Sequence, residues 1–201
     1  MTRNIDAIMR LSPVIPVLVI DDTAQAGPIA EALVAGGLPV IEVTLRTPVA
    51  FDAIRAMKKV PGTIVGAGTV LNAADLRNSI EAGAEFIISP GLTRPLAEAA
   101  IASTLPFLPG VATASDIMRG VDLGLTHFKF FPAQASGGIA ALKALSAPFA
   151  QCRFCPTGGI SSANAEEWLA ISSVLCVGGT WLTVGGKVDA DAVRAAVALR
   201  R

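Results

Sequence analysis

Short runs of β-branched and other apolar residues recur roughly every 20 to 27 positions along this chain, each followed by a stretch rich in Ala, Leu and Glu. The runs are VIPVLVI (14–20), PVIEVTL (39–45), TIVGAGT (63–69), EFIISPG (85–91), PFLPGVA (106–112), HFKFFPA (127–133), RFCPTGG (153–159) and SVLCVGG (173–179). Strands covered by helices on both faces read as continuous apolar runs rather than as alternating ones. Eight such βα units favour an α/β fold of the closed (β/α)8 TIM-barrel type over an open doubly wound sheet. Residues around 3–11 are expected to add a helix before the first strand, and 189–200 to form the last outer helix. No linker, low-complexity stretch or charge run divides the sequence, so residues 1–201 are read as one domain, near the lower size limit for a barrel.

Composition narrows the partners. Lys plus Arg balance Asp plus Glu at 16 each, which leaves no electrostatic footprint for nucleic acid and no charged tail. The apolar runs stop far short of the ~18 residues a membrane span requires. Asp6 and Arg10 interrupt any apolar signal core, so the expected location is the cytoplasm and the expected partner a small molecule. Cys152 and Cys155 form a C-x-x-C, but with no second pair and one histidine in the chain a zinc site is short of ligands. They and Cys176 read as small buried strand residues.

In barrels of this kind the active site lies at the C-terminal ends of the strands, which turns scattered polar residues into a map. Glu42, Thr44 and Arg46 share one parity and therefore one face of the second run. Thr69 closes the third run, Thr157 lies late in the seventh, and Thr180 follows the eighth. Lys129, in the sixth, shares parity with His127 and Phe131. A lysine within an apolar strand is costly; the same desolvation, with Arg46 nearby, favours a neutral amine able to attack a carbonyl. The residues alone leave two other roles open, a side chain that snorkels to the rim or a counter-ion for Glu42.

Glu42 is the best acid/base candidate, because Asp21 and Asp22 precede Thr23 and read as helix caps. His127 opens its strand at the far end and reads as a satisfied structural histidine. Arg46, four residues and ~13 Å beyond Glu42 along an extended strand, is placed either to hold a substrate carboxylate, with the Thr69 hydroxyl as a further donor, or to pair with a helix carboxylate. Thr157-Gly158-Gly159 and Gly178-Gly179-Thr180 end adjacent strands where barrels commonly bind phosphate, although tight turns would use the same glycines. GAGTVL (66–71) lacks the third glycine of a dinucleotide fingerprint and GGK (185–187) lacks the rest of a P-loop, so no nucleotide site follows.

IEVTLRTP (41–48), VGAGTVL (65–71), ISPGLT (88–93), FKFFPA (128–133), FCPTGGI (154–160) and LCVGGTW (175–181), in that order through nearly the entire chain, closely resemble the family of 2-keto-3-deoxy-6-phosphogluconate (KDPG) and 2-keto-4-hydroxyglutarate (KHG) aldolases. The resemblance implies a class I aldolase of the Entner–Doudoroff pathway that splits KDPG into pyruvate and glyceraldehyde 3-phosphate through a lysine imine, without metal or other cofactor. It places the imine on Lys129, proton transfer on Glu42, the pyruvate carboxylate on Arg46 and Thr69, the pocket wall on Thr157, and phosphate on Gly158, Gly159, Gly178 and Gly179, with Thr180 where the family pattern has Ser. It also implies a homotrimer and activity on KHG. Gln134 stands where Glu often follows the KFFPA segment. Same-class alternatives are an aldolase for the galactonate epimer or for an unphosphorylated keto acid; a phosphosugar isomerase is the alternative from another class.

Overall fold

The computed structural model describes residues 4–199. Strands β1 (Val14–Leu18), β2 (Val40–Thr44), β3 (Ile64–Gly68), β4 (Phe86–Ile88), β5 (Phe107–Leu108), β6 (Gly110–Val111), β7 (His127–Phe130), β8 (Arg153–Pro156) and β9 (Val177–Gly179) coincide with the eight apolar runs. Each of the first three is buried along its whole length. Helices α1 (Ile5–Met9), α2 (Ala26–Ala35), α3 (Ala50–Met57), α4 (Ala73–Glu81), α5 (Arg94–Ala102), α6 (Ala114–Asp122), α7 (Gly138–Ser146), α8 (Ala165–Leu169) and α9 (Ala190–Val197) alternate with them. The first and last are the expected terminal helices; positions 3 and 200 lie outside the described residues.

The result is an α/β fold of parallel strands in two sheets, ordered β5-β4-β3-β2-β1-β9 and β6-β7-β8. The fifth run divides because Pro109, between β5 and β6, has no N–H to contribute to a ladder. The eighth run pairs regularly only from Val177, and parallel bridges Phe154↔Val174 and Thr157↔Gly178 tie β8 to it. A short antiparallel hairpin, β10 (Thr183–Val184) and β11 (Lys187–Val188), was not anticipated; its turn uses Gly185 and Gly186 at φ 56° and 74°.

Two apolar clusters result. One holds the residues between sheets and helices, including Ile41, Val43, Val65, Phe128, Phe130, Phe154 and Trp168. The other gathers Ile15, Val40, Ile64, Phe86, Leu108, Cys155 and Cys176 from the strands with Ile8 and Met9 of α1. Helix α1 therefore closes one end of the strand assembly with its own apolar face. Asn4 caps it, accepting from the Ala7 N–H at 2.8 Å. Of the two aspartates expected as caps, Asp22 accepts from the Ala24 N–H at 2.9 Å, and it caps a single 3-10 turn at Thr23–Gln25 ahead of α2.

Candidate active site

Lys129, third residue of β7, meets Glu42, third residue of β2, with its Nζ 3.0 Å from Oε1 and 3.4 Å from Oε2. Lys129 is 6% exposed and Glu42 2%. The two strands belong to different sheets, so the pair bridges the space between them. The Lys129 ammonium also lies 5.3 Å from the centroid of the Phe131 ring, a cation–π distance that sequence analysis did not use although Phe131 shares Lys129's parity. Of the three roles open for this lysine, snorkelling to the rim is excluded by burial and pairing. The counter-ion role is met directly by the contact with Glu42, and a carboxylate at 3.0 Å is also within reach to exchange a proton with the amine.

The face expected to be shared by Glu42, Thr44 and Arg46 does not extend over all three, because β2 ends at Thr44. Thr44 is buried and donates its hydroxyl to the Leu18 carbonyl at 2.9 Å, which ties β2 to β1 rather than facing a ligand. The strand then ends, and the Arg46 N–H turns back to the Thr44 carbonyl at 2.8 Å. Arg46 is consequently an exposed turn residue rather than a point ~13 Å further along a strand. It forms no ion pair among the described residues, so the helix-carboxylate alternative fails and its guanidinium is uncommitted.

Thr69 follows β3 with φ 60°. A β-branched residue in the left-handed region is strained, and such strain concentrates where a side chain or N–H must be aimed. Nothing in the identity of a threonine announces this. Thr157, 6% exposed, has only long contacts for its hydroxyl, 3.5 Å to the Cys155 carbonyl and 3.9 Å to the Cys155 sulfur.

The two glycine pairs are glycines for different reasons. Gly158 and Gly159 have φ of 97° and 78°, a conformation side-chain-bearing residues resist. The segment that follows Lys129, with its cis Phe131–Pro132 bond, is laid against them: Ala133 N–H donates to Thr157 O at 2.8 Å and Gln134 N–H to Gly158 O at 3.0 Å. Gly178 and Gly179 lie in β9 itself, where any Cβ would overlap the Thr157 side chain and the Trp181 ring respectively. Thr180 is exposed just beyond.

At the opposite end His127 is fully engaged, its Nε2 3.0 Å from Asp6 Oδ1 and its Nδ1 3.0 Å from the Thr126 hydroxyl, as a structural histidine should be. Arg10 joins through a 2.8 Å bond to Asp6, and that bond first, then the one from His127, holds the Asp6 carboxyl below its ordinary range against the opposing effect of burial. The three cysteines are buried and none forms a disulfide among the described residues, and burial pushes the Cys152 thiol up. No helix among the described residues is long and apolar enough to cross a membrane.

Comparison with known proteins converges on the chemistry this geometry allows. The family model described as KDPG and KHG aldolase matches residues 5–199. The 2-dehydro-3-deoxy-phosphogluconate aldolase of Zymomonas mobilis is 58% identical over 193 residues, covering 96% of this chain and 93% of that protein. A crystal structure of the Zymomonas mobilis ZM4 aldolase with 3-phosphoglycerate superposes with a TM-score of 0.96 at 56% identity, over 100% of this chain and 98% of that one. The Legionella pneumophila KDPG aldolase, with pyruvate captured as a covalent carbinolamine, gives 0.90 at 46% identity over 99% and 97%. The chain belongs to the family of KDPG and KHG aldolases.

Proposed function

We propose that this protein is a class I aldolase cleaving KDPG to pyruvate and D-glyceraldehyde 3-phosphate in the Entner–Doudoroff pathway, and that it also acts on KHG. The observation that carries the reading is the buried pair of Lys129 Nζ and Glu42 Oε1 at 3.0 Å. A nucleophilic amine and a carboxylate that can take and return its protons stand in one water-poor site. Lys129, as the neutral amine, adds to the C2 ketone; the carbinolamine loses water to give an iminium. Glu42 then removes the C4 hydroxyl proton, the C3–C4 bond electrons pass into the enamine with the iminium nitrogen as sink, and the aldehyde leaves. Protonation at C3 and hydrolysis release pyruvate and the free lysine. The iminium is the electron sink, so the sequence of steps calls for no metal ion or other cofactor.

Arg46, uncommitted and at the mouth, and Thr69 are assigned to the pyruvate carboxylate. Thr157 lines the pocket. Gly158 and Gly159, with Gly178, Gly179 and Thr180, take the phosphate through backbone N–H groups and the Thr180 hydroxyl. The test is pyruvate release from KDPG with and without a chelator, joined to borohydride reduction in the presence of pyruvate. Chelator-independent release and a reduced pyruvyl adduct on the Lys129 peptide are expected; an unmodified Lys129 peptide overturns the mechanism.

The same reading treats β5 and β6 as one strand interrupted at Pro109. With the β8–β9 bridges, the two sheets then close into a (β/α)8 barrel plugged by α1. A cytoplasmic homotrimer is what the family resemblance implies, and large apolar side chains are left exposed that a subunit contact could cover, Leu71, Met118 and Val184 among them. Light scattering on the purified protein at three times the chain mass is the expected result.

A further inference from the structure

Glu42 is confined from two sides, and only one of them is Lys129. Gly68, the last residue of β3, is register partner of Thr44 on β2. The Glu42 carboxylate lies against its α-carbon, so that a Cβ on Gly68 would overlap Oε1 and stand 2.5 Å from Cγ and 2.6 Å from Cδ. Real side chains essentially never approach so closely. Gly68 is absent from the positive-φ glycines, so an alanine meets no backbone penalty there, and the position needs room rather than conformational freedom. We propose that Gly68 is a positioning residue of the aldolase reaction, its missing side chain being the seat that holds Glu42 Oε1 against the Lys129 amine. The inference rests on Glu42 being the proton carrier.

Gly66, two residues earlier on the same strand, supplies the contrast. A Cβ there would overlap the Phe86 ring, lying 2.6 Å from its Cδ2, and its three nearest neighbours are all atoms of that ring rather than of Glu42. Two glycines one pleat apart therefore serve different ends: Gly66 accommodates the core, Gly68 the acid. With Gly68 filled, the carboxylate must swing off Lys129, while the lysine, held by β7 in the other sheet, stays in place. Nucleophile and proton carrier are thereby separated without either being removed.

The experiment compares Gly68→Ala and Gly66→Ala in the full chain. Three readouts are followed: kcat and KM for KDPG cleavage, exchange of the pyruvate methyl protons for deuterium, and the final extent of borohydride labelling with pyruvate. For Gly68→Ala, kcat and methyl exchange should fall together by about 10²–10⁴-fold, the range for losing a positioned acid/base group, with KM little changed and labelling still reaching completion. Gly66→Ala should lower stability and leave the exchange rate alone. Combining Gly68→Ala with Glu42→Asp, which withdraws the acid by one methylene, should give more activity than the product of the two single effects. Wild-type exchange in Gly68→Ala, equal effects of the two glycine variants, or strictly multiplicative singles overturn the proposal. Should Gly68→Ala fail to fold, adding Glu42→Ala removes the overlap and should restore folding; no restoration overturns it too. Absence of labelling in the unsubstituted protein would instead sink the aldolase reading itself.

Discussion

Val40, Glu42 and Thr44 share one parity along β2, as do Cys155 of β8 and Thr157 one residue past its end. Val40 and Cys155 belong to the apolar cluster that Ile8 and Met9 of α1 complete; Glu42 and Thr157, one pleat further on, belong to the polar end with Lys129. The two ends of the same strands are thus made of opposite materials, and the change occurs within one pleat, about 7 Å of strand. The closed end stores stability in buried hydrocarbon, and the open end keeps polar groups that a core would reject. Lys129 and Glu42 sit on the boundary, 6% and 2% exposed. If the division is real, substitutions should separate into those that stop the reaction and those that loosen the fold.

The largest effect is expected at Lys129. Lys129→Arg keeps a cation opposite Glu42 but supplies no nucleophilic amine at accessible pH, so kcat for KDPG cleavage should drop at least ~10⁴-fold, as when other covalent nucleophiles are removed. Its unfolding midpoint should stay near that of the unsubstituted protein. Lys129→Ala should be equally inactive and also less stable, because a buried carboxylate stripped of its partner costs about 3–5 kcal/mol. Activity in the arginine variant above one part in a thousand would break both the assignment and the division of ends.

At the closed end, Met9→Ala removes a fully buried side chain from the α1 plug and should cost about 2–5 kcal/mol in urea unfolding. Its kcat should stay within about twofold at temperatures where the variant is folded. A tenfold loss of kcat without unfolding would show that the plug transmits to the ion pair.

The closed end was largely legible in the sequence and the open end only partly, for a physical reason. Burial on both faces of a parallel sheet imposes a run of apolar residues that can be read directly, as VIPVL and VIEVT were, and Lys129 and Glu42 stood out because they violate that rule. Arg46 was placed by extrapolating a strand whose end at Thr44 depends on a backbone turn that no side chain advertises. The strain at Thr69 and the room required at Gly68 likewise depend on φ and on a neighbour from another strand. The division at Pro109 was readable in principle, since the missing N–H is a property of the residue alone. The β10–β11 hairpin carries a readable signal as well, since Gly185-Gly186 is a hairpin turn pair.

At the mouth, Arg46→Ala should raise KM for KDPG about 10- to 100-fold, the range for losing hydrogen bonds to a charged group, with kcat less affected. Unchanged KM would remove Arg46 from the substrate carboxylate and leave Thr69 as the candidate. A smaller effect is expected at the rim of the closed end. The Asp6 carboxyl is held below its ordinary value of 3.8, so its contribution is present in full above the unfolded value and is lost as pH falls through the folded one. Asp6→Asn should therefore flatten the acid limb of stability below about pH 4 and leave neutral-pH kcat unchanged. An equally steep acid limb in Asp6→Asn would place the acid sensitivity elsewhere.

The smallest effect is expected at Thr180, exposed one residue past β9. Thr180→Ser keeps the hydroxyl and removes one methyl from the proposed phosphate site, so KM for KDPG should fall by no more than about fivefold, an effect under ~1 kcal/mol. KM for KHG, which carries no phosphate, should not move, and the ratio of the two separates a phosphate contact from a general change at the mouth. A parallel shift in both substrates would mean that Thr180 shapes access rather than meets the phosphate. No shift in either would mean the methyl stands clear in solvent, leaving the proposed anion binding to the backbone of Gly158 and Gly159.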